Sequence, residues 1–230
     1  MWRACFFLLF FIPFTLLHSL VAVIGGLFNR SGAFGHRCAL SWSRGSLRVA
    51  RVRVTVSGTE HVPAAGPVVY MGNHQGNFDI LALTTAIPRR FSWLAKEELF
   101  RIPVFGPAMR RAGYIPLDRS DGRRALKSID AAAAAIRSGI SVVVFPEGTR
   151  SHDGSLLPFK KGAFLLAAKA GVPVVPFTIN GSRRINPRNR LELNPGDIRI
   201  AFAPPLDPRV LGREEMQERV RRSIEEGLQA

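Results

Sequence analysis

The chain has 230 residues, which is room for one globular domain and a membrane anchor, and this length excludes a large multidomain protein. The 32 Lys and Arg residues exceed the 17 Asp and Glu residues and give a net charge of +15, so an acidic partner is expected: nucleic acid, an anionic membrane or a phosphorylated substrate. Only two cysteines occur, which supports neither a disulfide framework nor a zinc cluster and favours a reducing, cytoplasmic setting.

The first predicted element is an apolar membrane helix. No formally charged side chain occurs from Ala4 to Asn29, and at about 1.5 Å per residue a run of this length can cross the ~30 Å hydrocarbon layer of a bilayer. Pro13 and the pair Gly25 and Gly26 weaken a straight helix, so a kinked or half-inserted anchor is the alternative. The run is longer than a typical signal peptide and has no clear small-x-small cleavage site, and we therefore interpret it as retained.

The residues after this run carry a strong positive bias, while only Arg3 precedes it. Because cytoplasmic flanks of membrane helices are rich in arginine, the rest of the chain is predicted to face the cytoplasm, at an inner or cytoplasmic membrane. A second, amphipathic helix is expected near Cys38 to Leu47, with Trp42 at the interface and the arginines holding anionic lipid headgroups. These arginines are Arg30, Arg37, Arg44, Arg48, Arg51 and Arg53.

Beyond residue 50, short β-branched runs alternate with helical stretches, which predicts an α/β fold: a mixed, largely parallel sheet flanked by helices. We expect residues 1–50 to form the anchor and residues 51–230 the catalytic domain. The predicted strands are Val52 to Val56, Val68 to Met71, Phe91 to Ala95, a short strand before Arg119, Val142 to Phe145, Val174 to Thr178 and Ile198 to Phe202. The predicted helices are Ile80 to Ala86, Val104 to Arg111, Arg123 to Arg137, Gly162 to Ala170 and Arg213 to Gly227.

A polar turn follows the second strand, over residues 72–79, and contains a candidate base. On a continuous helix His74 and Asp79 would point about 140° apart, so they meet only if Gly76 and Asn77 turn the chain between them. A carboxylate bonded to one imidazole nitrogen leaves the other nitrogen to take a proton from an alcohol. The alternative is a turn histidine that is satisfied locally and has no role in catalysis.

A second turn follows the strand at Val142 and ends in a cation. Arg150 presents a planar fork of donors suited to a phosphate, Thr149 and the Gly148 amide add neutral donors, and Glu147 is expected to hold the arginine or a neighbouring loop. A solvated surface turn is the alternative.

Two further cations, Lys96 and Arg119, follow other strands and can converge on the same anion, although an exposed position also explains each alone. Lys160 and Lys161 are left out of the predicted site.

Four blocks of the sequence, in order, form a recognisable set: Asn73-His74-Gln75-Gly76-Asn77-Phe78-Asp79, Gly113-Tyr114-Ile115-Pro116-Leu117-Asp118-Arg119, Phe145-Pro146-Glu147-Gly148-Thr149-Arg150 and Val172-Pro173-Val174-Val175-Pro176. They resemble the four motifs of the 1-acyl-sn-glycerol-3-phosphate acyltransferase (lysophosphatidic acid acyltransferase) family, bacterial type. The apolar start also resembles that family's two-helix membrane anchor, so the likeness covers the anchor and residues 50–205.

The resemblance implies an enzyme that makes phosphatidic acid from lysophosphatidic acid and acyl-CoA or acyl-carrier protein, without a metal, a cofactor or a covalent acyl-enzyme. It implies that His74 is the base, that Asp79 orients it, and that the acceptor phosphate is bound by Arg119 and the turn of Glu147, Gly148, Thr149 and Arg150, with Lys96 nearby. One departure is Gly76, which stands where many members carry serine and so removes a hydroxyl beside the base.

Alternatives remain at this stage. The same chemistry on glycerol-3-phosphate, a lyso-phospholipid or a lyso-aminolipid is the nearest one, since acceptor specificity depends on the depth of the groove. A non-catalytic lipid-binding membrane protein is a more distant one. Nucleic-acid binding is not expected, because no recognised module occurs and the aromatic residues are mostly Phe in apolar runs. The sequence predicts no oligomeric state.

Overall fold

The computed structural model describes residues 2–29, 31–187 and 190–228. Arg30, one of the predicted juxtamembrane arginines, lies outside the described residues. The helices are α1 (Trp2–Phe28), α2 (Ala33–Ala50), α3 (Phe78–Ala86), α4 (Phe105–Arg111), α5 (Gly122–Arg137), α6 (Lys161–Ala170), α7 (Ser182–Ile185) and α8 (Arg213–Gly227). The strands are β1 (Val52–Ser57), β2 (Val69–Gly72), β3 (Phe91–Lys96), β4 (Ile115–Leu117), β5 (Ser141–Val144), β6 (Val174–Asn180) and β7 (Gly196–Phe202). Two 3-10 helices lie at Thr59–His61 and Glu97–Arg101.

The strands of the described chain form one seven-stranded sheet in the order β1-β7-β6-β2-β5-β3-β4. Every neighbouring pair is parallel except β6 and β7, which run antiparallel. The predicted mixed, largely parallel sheet is therefore confirmed. Each strand and helix predicted beyond residue 50 is present, with ends that differ by at most two residues.

Helices cover both faces of the sheet, and the alternation along β2 shows why. Tyr70 belongs to the core that α2 and α3 cover, whereas Val69 and Met71 belong to the core that α5, α6 and α8 cover. Successive side chains of a strand point to opposite faces, so a strand buried on both faces must be apolar throughout. All four residues of β2 are buried.

Helix α1 has the length and composition of a membrane-spanning helix. At about 1.5 Å per residue its 27 residues extend for roughly 40 Å, and its most apolar window has a mean hydropathy of 2.4 with only 17% of its residues buried. Pro13 lies inside the helix, which continues past it as one element. This exposed apolar helix is consistent with the predicted association with a membrane.

Helix α2 is longer than predicted and packs alongside α1. Trp42 was expected at the membrane interface, but its ring lies 5.5 Å from that of Phe11 and its indole N–H donates to Thr15 Oγ1 at 2.9 Å. Phe7 and Leu47 join the core of the α/β sheet. The helix pair is therefore packed onto the sheet, and the division at residue 50 stays a prediction.

Candidate active site

The two polar turns predicted from the sequence lie next to each other at one edge of the sheet. Strands β2 and β5 are parallel neighbours, with Tyr70 opposite Val143, so their carboxyl ends point the same way. The loop from β2 to α3 carries His74, and the loop from β5 to α6 carries Arg150. Ligand sites in open α/β sheets gather at such strand ends.

His74 and Asp79 form a direct hydrogen bond. The distance from His74 Nδ1 to Asp79 Oδ2 is 2.6 Å, and the same carboxylate oxygen accepts the backbone N–H groups of Gln75 at 2.7 Å and Gly76 at 2.9 Å. Asp79 is fully buried in the first turn of α3, where the helix dipole also favours a negative charge. The turn that the sequence required between the two side chains is thus present.

The imidazole of His74 is oriented by a contact on its ring face and by a hydrogen bond at one ring nitrogen. Its ring stacks flat on Phe145, with centroids 4.0 Å apart and an interplanar angle of 8°, and the His74 side chain is 17% exposed. Nδ1 is bonded to Asp79, and Nε2 has no hydrogen-bond partner among the residues that the structure describes. This nitrogen is therefore available to take a proton from a bound hydroxyl group.

Glu147 connects the two loops from inside the protein. Its side chain is 1% exposed, and its two carboxylate oxygens accept the backbone N–H groups of His74 at 2.7 Å and of Leu157 at 2.9 Å. Burial raises the pKa of the Glu147 carboxyl, and the two backbone hydrogen bonds act against this rise. The resemblance grouped Glu147 with the phosphate-binding residues, whereas the turn itself predicted that it holds the arginine or a neighbouring loop. Both carboxylate oxygens bind backbone N–H groups, which fits the loop.

Arg119 is fixed by the turn after Glu147. Its Nη1 donates to the carbonyl oxygen of Gly148 at 2.8 Å. Gly148 has φ of 72°, a conformation that favours glycine, and a Cβ there would lie 3.1 Å from Arg119 Nη1. The amide of Gly148, expected as a donor to the substrate, donates to Phe145 O at 3.0 Å instead and closes the turn.

Two further predicted binding residues, Lys96 and Thr149, are exposed. Lys96 ends β3 opposite Leu117 of β4, and Arg119 follows Leu117 by two residues, which brings both cations to the same corner of the sheet. Thr149 is exposed next to Gly148. The structure therefore brings Thr149 and Arg150 to the loop that is bonded to His74, attaches Arg119 to the same loop, and leaves Lys96 at a neighbouring strand end.

Sequence reasoning missed a chain of hydrogen bonds that holds Arg150. Arg150 Nη1 donates to Asn77 Oδ1, Asn77 Nδ2 donates to Asn186 Oδ1 at 2.8 Å, and Asn186 Nδ2 donates to the carbonyl oxygen of Glu192 at 2.7 Å. A guanidinium only donates and a carbonyl only accepts, so both ends fix the orientation of the two amides. Asn77 belongs to the same loop as His74, which links the orientation of Arg150 to that of the base.

Gly76, the departure from the usual serine, lies against α7. A Cβ at this position would be 3.0 Å from Ser182 O and 3.5 Å from Ser182 Oγ. The Ser182 hydroxyl is buried and has no hydrogen-bond partner among the described residues. A serine at position 76 would therefore crowd the backbone of α7, although it would bring a hydroxyl close to this one.

Comparison with known proteins finds similar proteins over most of the chain. The acyltransferase family model matches residues 53–180, which include every predicted site residue. A chloroplastic 1-acyl-sn-glycerol-3-phosphate acyltransferase from Brassica napus is 40% identical over 175 residues, covering 75% of this chain and 50% of that protein. The alpha form of 1-acyl-sn-glycerol-3-phosphate acyltransferase from Homo sapiens is 34% identical over 177 residues, covering 75% of this chain and 62% of that protein. The chain thus spans about half the length of the first curated relatives it matches.

A solved structure extends the likeness to nearly the whole chain. The crystal structure of the 1-acyl-sn-glycerophosphate acyltransferase from Thermotoga maritima superposes with a TM-score of 0.86 at 26% identity, covering 98% of this chain and 92% of that one. The family model, the relatives and the shared fold lead to one conclusion. The chain belongs to the acyltransferase family.

Proposed function

We propose that the protein transfers a fatty acyl group from a thioester donor, acyl-CoA or acyl-carrier protein, to the sn-2 hydroxyl of 1-acyl-sn-glycerol-3-phosphate, giving phosphatidic acid. One observation carries the proposal: the His74–Asp79 pair lies beside a turn that presents Arg119 and Arg150. A base near two guanidinium groups suits an acceptor that has a hydroxyl and a phosphate. The names of the relatives support the same acceptor.

In the proposed reaction His74 Nε2 takes the proton of the acceptor hydroxyl as its oxygen attacks the thioester carbonyl carbon. The tetrahedral intermediate then expels the thiolate, which takes the proton back from the imidazolium. Asp79 keeps Nδ1 protonated and stabilises the transient cation, an arrangement in which general base catalysis contributes ~10² to 10⁴ in rate. No metal ion, cofactor or covalent acyl-enzyme is required, because the acceptor hydroxyl is itself the nucleophile.

The acceptor phosphate is proposed to bind between Arg119 and Arg150, with Lys96 and the Thr149 hydroxyl at its edge. Arg119 and Arg150 belong to different loops, and each could donate to a different oxygen of one phosphate. Helix α1 is proposed to keep the site at an inner or cytoplasmic membrane, with the catalytic domain on the cytoplasmic side. The lysolipid would then reach the site laterally from the leaflet.

The test is acyl transfer by the purified full chain in detergent, from oleoyl-CoA and separately from oleoyl-acyl-carrier protein. Lysophosphatidic acid is the acceptor, and a phosphate-free monoacylglycerol runs beside it. We expect phosphatidic acid from wild-type protein with at least one donor, no product from the monoacylglycerol, and loss of product in His74→Ala. His61→Ala, in the 3-10 helix outside the site, is the matched control and should keep full activity.

Transfer by His74→Ala at the wild-type rate would refute the role of the base. Absence of transfer to lysophosphatidic acid from either donor, together with transfer to glycerol-3-phosphate or a lyso-aminolipid, would refute the acceptor while keeping the reaction class.

A further inference from the structure

A groove of about 510 Å³ lies between α1 and the exposed side of α2, and it shares no lining residue with the candidate active site. Arg37, Arg44 and Arg48 line one side of it, while Phe14 and Leu40 contribute apolar surface. A second groove of about 390 Å³ continues from Arg44 and Arg48 toward β1. The two grooves therefore form one track along α2, with Arg44 and Arg48 in the middle.

The three arginines form a row on one face of α2. At about 100° per residue, positions 37, 44 and 48 fall within roughly 40° of one another. All three are exposed, and none forms an ion pair with a carboxylate in the described part of the chain. The first acidic residue in the sequence is Glu60, so this positive charge has no acidic neighbour along the chain. The row is thus open to an external anion.

The groove also has an apolar side that a free anion would not use. Helix α2 approaches Phe14 so closely that a Cβ on Gly45 would lie 2.6 Å from its ring. Beyond Phe14, α1 exposes large aliphatic side chains, including Leu16 and Leu17. A ligand that suits this surface has an anionic head at the arginines and a hydrocarbon chain along α1.

We propose that this groove binds one anionic phospholipid, with its phosphate between Arg44 and Arg48 and an acyl chain along Phe14 and α1. The proposal does not depend on the reaction that the protein catalyses, since it concerns a different surface. Each arginine close to an anionic lipid contributes about 1 kcal/mol, which corresponds to roughly a fivefold change in affinity. Loss of both central arginines should therefore weaken binding by roughly 25-fold.

The test is lipid binding to the full chain in neutral detergent micelles, measured by native mass spectrometry and by the lipid-dependent rise in thermal midpoint. The probe is phosphatidylglycerol, which is neither substrate nor product of the proposed reaction, and phosphatidylcholine with the same acyl chains is the zwitterionic comparison. We expect wild-type protein to bind phosphatidylglycerol in preference. Arg44→Gln combined with Arg48→Gln should lose this preference, whereas the double lysine variant should keep most of it.

The matched control is Arg219→Gln combined with Arg222→Gln, which removes the same charge from an exposed part of α8 on the opposite face of the sheet. It should bind phosphatidylglycerol as the wild type does. Equal weakening in both double variants would overturn the site and leave only an effect of net charge. Equal binding of phosphatidylcholine, or the same rise in thermal midpoint from inorganic phosphate alone, would overturn the proposal that the groove binds an anionic phospholipid. Circular dichroism without lipid should confirm that all variants fold.

Discussion

Replacement of Glu147 by glutamine tests whether the buried carboxylate holds the two active-site loops together. Each carboxylate oxygen accepts one backbone N–H, from His74 at 2.7 Å and from Leu157 at 2.9 Å. Glutamine has nearly the same shape but only one oxygen, and its NH₂ group can only donate. In either orientation of the amide, one buried N–H must face another donor.

The size of the loss follows from these two contacts. A hydrogen bond to a charged group is worth about 1.5–3 kcal/mol, and a buried donor left unpaired costs about 1–3 kcal/mol. Removal of a buried charge offsets part of this, because burial already raises the pKa of the Glu147 carboxyl. We expect Glu147→Gln to lower the free energy of unfolding by roughly 3 kcal/mol, which is a fall of about 6–12 °C in the thermal midpoint of a chain of this length.

The measurement is the thermal midpoint of the full chain in detergent, by circular dichroism at neutral pH, together with kcat for acyl transfer. We expect kcat to fall as well, since one of the two backbone N–H groups that can lose its acceptor is that of His74. Glu60→Gln removes an exposed carboxylate and should leave both quantities near those of the wild type. A midpoint for Glu147→Gln within about 2 °C of the wild type would refute the reasoning.

The pH dependence gives the same prediction a second readout. The pKa of the Glu147 carboxyl is raised in the folded protein, so the folded state binds this proton more tightly than the unfolded state does. The stability that comes from this difference in proton binding is therefore fully present below the unfolded pKa of about 4.3. It is lost as pH rises through the folded pKa. The advantage of the wild type over Glu147→Gln should grow as pH falls from neutral toward this range, and an advantage that shrinks would contradict the direction.

Three further substitutions separate the parts of the site. Asp79→Asn should lower kcat by on the order of 10³- to 10⁴-fold while the protein stays folded, because His74 loses the partner that fixes its tautomer, and a loss below tenfold in kcat would contradict this role. Asn77→Ala should raise KM for lysophosphatidic acid by about tenfold with a smaller change in kcat, because Arg150 loses a hydrogen bond that orients it. An unchanged KM would show that this hydrogen bond does not orient Arg150 for binding. Gly148→Ala should destabilise the protein by ~1–2 kcal/mol at its positive φ, which thermal unfolding would detect, and an unchanged midpoint would count against strain there.

Much of the fold was predictable because its signals are local. The strand around Tyr70 and the strand around Val143 are short, β-branched or aromatic runs bounded by turn residues, and each appears in the structure within one residue of its predicted end. The order of the strands was not predictable in this way, since no local pattern specifies that β7 inserts between β1 and β6. That choice depends on contacts between residues such as Val54 and Ile198, which are far apart in sequence.

The same division applies to the site. The sequence indicated that His74 and Asp79 could meet if Gly76 and Asn77 turned the chain, and the structure contains both the turn and the hydrogen bond. Asn77 reaches Asn186 across 109 positions, and no pattern in either neighbourhood signals this contact. The role of Glu147 was predicted as holding an arginine or a loop, and the structure assigns it to the loop, because its oxygens meet backbone N–H groups instead of a guanidinium.

The hydrogen bonds between the two loops suggest where the rate of the proposed reaction originates. The backbone of His74 is held from both sides by the β5–α6 loop: its N–H donates to Glu147, and its carbonyl oxygen accepts from Ser151 N at 2.8 Å. Arg150 directly precedes Ser151, so the proposed base and a proposed phosphate ligand belong to one hydrogen-bonded unit. Direct transfer has no covalent intermediate to hold the acyl group, and a near-attack geometry alone can supply up to ~7–11 kcal/mol. The fixed distance between base and phosphate site is therefore expected to matter as much as the basicity of His74.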